Sequence, residues 1–129
     1  MNRQRALKIV LVVVGLLFAA AIYPLTMSLW KMNQSDHGDE MMLSLYFALG
    51  IFLLMAVRNP AANRSLIGFA AWSSFAHGAV MAVLAFRVPS ERAGLLIAVA
   101  VLVVIGVTLI GLSPARRRHS GYPPAEHEY

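Results

Sequence analysis

The chain has no cysteine, only six acidic residues and few charges of either sign, 13% of its 129 residues. Without cysteine there is no disulfide framework and no thiolate metal site. Four long windows, 9–30, 41–57, 65–86 and 93–115, contain no Asp, Glu, Lys or Arg at all. Soluble domains carry about 25% charged residues. The polar sequence left over cannot coat a globule in water, which excludes a soluble enzyme and a disordered chain. What is present instead is apolar: 59% hydrophobic residues and a mean hydropathy of +0.67.

A bilayer core of about 30 Å takes roughly 20 residues of helix. Backbone amides in lipid must be satisfied within the segment, so the windows predict helices. The reading is an all-α membrane protein with four transmembrane helices over about 9–30, 41–57, 65–86 and 93–112. The second is the shortest and needs Arg58 and Glu40 at the two headgroup levels to span. Short links predict an up-down-up-down antiparallel bundle over residues 1–112. Pro24 should kink the first helix near Tyr23, because it removes the hydrogen bond to the Ala20 carbonyl. Pro60 should end the second helix, Asp39 should cap its start, and Asn63 or Ser65 should cap the third. Residues 113–129, with Pro114, Arg116, Arg117, Arg118 and Tyr122-Pro123-Pro124, read as a polar tail without a fold of its own.

Eight of the eleven basic residues fall on one side of these spans: Arg3, Arg5, Lys8, Arg58, Arg64 and Arg116–Arg118. The positive-inside rule then puts both termini in the cytoplasm. The expected location is a bacterial cytoplasmic (inner) membrane, crossed several times. The net charge of +5 is headgroup anchoring by that reading. No aromatic residues interleave the basic ones, as nucleic-acid binding would need. Asn2–Lys8 followed by Ala19-Ala20-Ala21 resembles a signal peptide. The apolar run continues through Ile22 to Trp30, which predicts an uncleaved anchor.

His77 is the one imidazole inside any window, near mid-bilayer. Polar side chains at that depth are costly and face the protein interior or a cavity. Ser73 and Ser74 share its helix face. The simplest expectation is a hydrogen bond from His77 to a serine hydroxyl or a backbone carbonyl. The sharper one is axial ligation of haem or a chlorophyll-type pigment, with Ser73 and Ser74 as neighbours. The other histidines, His37, His119 and His127, lie outside the windows, so one chain cannot supply two haem ligands at one depth. Asp36, His37, Asp39 and Glu40 form the second candidate cluster, for a divalent cation, against the alternative of acids at a helix start. Stripes of small residues, Ala70-Ser74-Gly78-Ala82, Gly15-Ala19 and Gly94-Ala98, predict close helix packing. There is no intramembrane carboxylate, no serine–histidine–acid set and no phosphate loop, so no enzyme is expected.

Arg58-Asn59-Pro60, Asn63-Arg64-Ser65-Leu66-Ile67, Trp72-Ser73-Ser74 and His77 together resemble a family of small four-helix bacterial membrane proteins of unknown function. The likeness runs from about Tyr23-Pro24-Leu25-Thr26 to Phe86. It implies four spans, draws attention to His77 and implies no activity. The expected function is a non-catalytic accessory or assembly subunit of a larger membrane complex, of respiratory or photosynthetic type, with lipid and other integral membrane proteins as partners. The alternatives are a tetrapyrrole carrier through His77 and, more weakly, a small transporter.

Overall fold

The structure, a computed structural model, describes residues 2–31 and 37–114, without the side chains of Lys31 and His37. Asp36 and the whole tail beyond Pro114, with His119 and His127, lie outside the described residues. Helices α1 (Arg3–Ala19), α2 (Ile22–Lys31), α3 (His37–Ala56), α4 (Arg64–Arg87) and α5 (Arg92–Leu112) make up the fold, and a single 3-10 turn over Pro89–Glu91 precedes α5. No strand occurs among the described residues. With α1 and α2 as one broken span, four helices among the described residues are long and apolar enough to cross a membrane. This is the architecture of a multi-pass membrane protein.

The helices run beyond the charge-free windows at several ends. Helical hydrogen bonding continues into the headgroup layer, whereas the windows mark only the part that avoids charge. The short second window is resolved this way: α3 starts at His37 and reaches 20 residues, about 30 Å at helical rise. Asp39 is consequently not a cap. It sits with Glu40 inside the first turn, where negative charge complements the positive end of the helix dipole. Glu40 also accepts a 2.7 Å hydrogen bond from the Ser28 hydroxyl of α2.

The first span breaks at Ala20-Ala21, one turn before Pro24. The proline ring would collide with the Ala20 carbonyl in a regular helix and offers it no N–H. The Tyr23 N–H takes that carbonyl instead, at 3.1 Å. The polar group that Pro24 orphans is thus satisfied within its own chain.

The connection before α4 is held by Asn59. Its side-chain oxygen accepts from the Ala62 N–H at 3.2 Å, and its carbonyl accepts from the Asn63 amide at 2.9 Å. The expectation that Asn63 caps α4 with its side chain is therefore corrected. Asn63 stands at the cap position, but its side chain makes no capping bond, because its amide is turned back to Asn59. Asn59→Ala should lower stability by about 1 kcal/mol, as loss of a capping oxygen does, measured by equilibrium unfolding in mixed micelles; Asn63→Ala should cost less.

Packing is uneven around the bundle. The α4/α5 and α1/α3 pairs are tightly associated, α1 touches α5, and α3 meets α4 only sparingly. The core collects Leu7, Leu11, Val14 and Phe18 of α1 with Leu53, Ile67, Ala70, Ala71, Ile105 and Leu109. Small residues set the close approaches. A Cβ at Gly15 would come within 2.9 Å of the Leu54 side chain, and one at Gly106 within 2.6 Å of the Phe75 ring. Ala70, Ser74 and Gly78 are buried, with Gly78 facing Leu102 of α5. Gly94 meets nothing within 4 Å. At one end of the bundle, the Arg3 guanidinium donates to the carbonyls of Gly111 at 3.1 Å and Ser113 at 3.0 Å. These are among the last carbonyls of α5, which a cation complements.

Most large apolar side chains point outward. Val13, Leu16, Leu45, Ile97 and Val104 are all more than half exposed. In water such a surface would drive aggregation. Against acyl chains it costs nothing.

Candidate lipid-facing groove

Where α3 and α4 diverge, a groove of about 530 Å³ opens on the side of the bundle. Met42, Leu45, Leu49, Phe52, Leu66, Phe69, Ala76 and Val80 give it apolar walls, and among the described residues Tyr46, Ser73 and His77 supply its polar side chains. Among the described residues, no charged one lines it. Its volume falls within the range of small-molecule sites.

His77 lies thirteen residues after Arg64 and ten before Arg87 in α4. At helical rise, that is about 20 Å and 15 Å from the two ends. Its ring meets the Tyr46 ring of α3 edge-on, with centroids 5.3 Å apart. Tyr46 in turn meets Phe18 of α1 at 4.9 Å, also edge-on. Such contacts are the favoured geometry for aromatic pairs. The three rings link α1, α3 and α4 along the back of the groove.

The expected hydrogen bond between His77 and its neighbouring serines is not made. Ser73 and Ser74 both donate to the Ala70 carbonyl one turn back, at 3.1 Å and 2.7 Å. A hydroxyl in a helix finds that acceptor without leaving its own turn. The hydroxyls of Thr26, Ser44 and Thr108 are spent the same way, on Ile22, Met41 and Val104. Ser74 is fully buried in the α4 packing face, whereas Ser73 is half-buried and opens on the groove. Neither imidazole nitrogen bonds to another described residue, yet no buried polar side-chain atom among them lacks a partner. The His77 nitrogens are therefore accessible rather than sealed in, on a residue that lines the groove. The Tyr46 hydroxyl stands in the same position.

Sequence reasoning places His77 and Ser73 in one site and separates Ser74 from them only once the packing is known. It misses Tyr46. The available signal is that Tyr46 is a phenol deep within a charge-free window, a residue type that usually sits at membrane interfaces. The second cluster falls partly outside the described residues, and among those residues no three His, Cys, Asp or Glu side chains come together to hold a metal. Asp36 and the His37 side chain lie outside those residues, Asp39 is exposed, and Glu40 holds Ser28.

No curated protein and no solved structure matches the chain. Residues 2–123 match DUF6632, a family of unknown function. The aromatic-backed groove, the Asn59-Pro60 turn and all four spans lie inside that match, and the chain belongs to this family.

Proposed function

We propose that the protein is a non-catalytic accessory or assembly subunit of a larger membrane complex, of respiratory or photosynthetic type, in a bacterial inner membrane. One observation carries this reading. On α5, Ala93, Ile97, Ala100, Val104, Val107 and Gly111 recur every three or four residues, and all are exposed. Spacing of this kind is what a neighbouring helix packs against, and small residues let backbones approach closely. The inward glycines of α1, α3 and α5 are already used within the bundle; this stripe runs the length of α5 and faces outward. It fits a transmembrane helix of another integral protein.

The up-down-up-down arrangement with both termini cytoplasmic is part of the same reading. It is supported by the bonds from Arg3 to Gly111 and Ser113, by Ser28 beside Glu40, and by the bond from Arg92 to the Ala85 carbonyl. Each joins residues that such a chain path brings to one level. The basic residues at the Arg3 end supply the cytoplasmic assignment.

Purification of a tagged full chain in mild detergent tests the proposal. A stoichiometric integral membrane partner is expected, and Val104→Trp should release it by blocking the stripe. Recovery only as an isolated monomer or homodimer overturns it.

A second reading, a tetrapyrrole carrier ligated through His77, has the unbonded imidazole in its favour. It requires a Soret or bacteriochlorophyll band that His77→Ala removes. The transporter reading has least behind it, because the intramembrane hydroxyls of Thr26, Ser44 and Thr108 bond to their own helices.

A further inference from the structure

We infer that the groove between α3 and α4 binds a neutral, lipid-soluble ring compound bearing carbonyl or hydroxyl oxygens, of the quinone/quinol class. The inference does not depend on the α5 stripe or on any protein partner. It starts from an unmet requirement. His77 holds its nitrogens at the groove surface, far from either end of α4, where lipid tails offer nothing to bond with. A polar group facing hydrocarbon without a partner is expensive. The Tyr46 hydroxyl, on the ring 5.3 Å away, is in the same state. Two unbonded polar groups on two helices thus open on one apolar groove.

The chemistry of these groups selects the ligand. Neutral imidazole donates from one nitrogen and accepts at the other, and a phenol donates through its O–H. They can bond a quinone carbonyl as donors, and His77 can also accept from a quinol hydroxyl. Ser73 spends its proton on Ala70 and retains lone pairs to accept. The absence of charge among the described lining residues disfavours a phospholipid headgroup, which in any case belongs at the interface. It also leaves the carboxylates of a haem without a basic partner in the groove. Met42, Leu45, Leu49, Phe52 and Val80 provide an apolar bed for an alkyl or prenyl tail, and the groove's open side lets the ligand enter from the bilayer.

The test uses the purified full chain in phosphatidylcholine nanodiscs, titrated with decylubiquinone and, in parallel, with n-decanol, which has a tail but no ring. Quinone retained after gel filtration is expected to saturate at one per chain and to resist decanol. His77→Leu should weaken retention about tenfold, the scale of a lost hydrogen bond in an apolar site. Ala76→Trp, at an exposed groove position, should block binding by filling the space without touching the imidazole. Far-UV circular dichroism establishes that each variant is folded; should His77→Leu not fold, saturation of the natural protein and the Ala76→Trp result decide. Non-saturating uptake, equal competition by decanol, or unchanged retention in Ala76→Trp or a folded His77→Leu overturns the inference. So does a tetrapyrrole band that depends on His77 in protein purified from native membranes.

Discussion

Gly50→Val is expected to detach α3 from α1 while leaving both helices in the membrane. A Cβ at Gly50 would lie 2.7 Å from the Gly15 carbonyl oxygen and 2.9 Å from the Phe18 carbonyl carbon, and it would press on the Ala19 nitrogen as well. All three obstacles are backbone, so no rotamer change relieves them. Overpacking a core typically costs 1–3 kcal/mol where side chains can yield; here the helices must separate, and about 3 kcal/mol or more is expected. Unfolding in mixed micelles should show the loss of tertiary stability, and far-UV circular dichroism should show nearly unchanged helicity, since spanning helices stay formed without their neighbours. Gly94→Ala is the control. It meets open space and should be neutral or gain up to about 1 kcal/mol from helix propensity. Equal behaviour of the two variants would show that α1 and α3 do not approach through Gly50.

Leu11→Ala has the next largest expected effect and also tests the surroundings of the chain. Leu11 is fully buried in the core, while Val13, two residues on, is 59% exposed. In water, a buried leucine truncation costs 2.7–5.0 kcal/mol, part transfer and part cavity. Between lipid and a protein interior the transfer part vanishes, because both are apolar. About 2 kcal/mol of lost packing should remain, read from the unfolding midpoint in mixed micelles. Val13→Ala should fall within about 0.5 kcal/mol of the natural protein, as exposed positions generally do. A cost for Leu11→Ala at the top of the aqueous range, or a comparable cost for Val13→Ala, would contradict a bundle surrounded by acyl chains.

Much of this molecule is dictated by where charge is missing. Four charge-free windows fix four apolar helices, since an unpaired amide in lipid is too costly for any other backbone. Pro24 fixes the break in the first span, and Asn59-Pro60 with Asn63 marks the turn before α4, although not which asparagine does the bonding. The depth of His77 is equally legible, because it follows from counting residues between Arg64 and Arg87.

What the sequence leaves open is which faces meet. Ser73 and Ser74 are equivalent neighbours of His77 by spacing, yet one opens on the groove and the other is packed away. The stripes at Gly15, Gly78 and Gly94 look alike as text; the first two are consumed inside the bundle and the third is not. Tyr46 becomes part of the site only because α3 brings it against His77 from another helix. Helix formation is local and reads along the chain, while pairing depends on side-chain shape across it. In an apolar surrounding, no hydrophobic contrast tells one apolar face from another, so packing alone decided that α3 and α4 part and leave a groove.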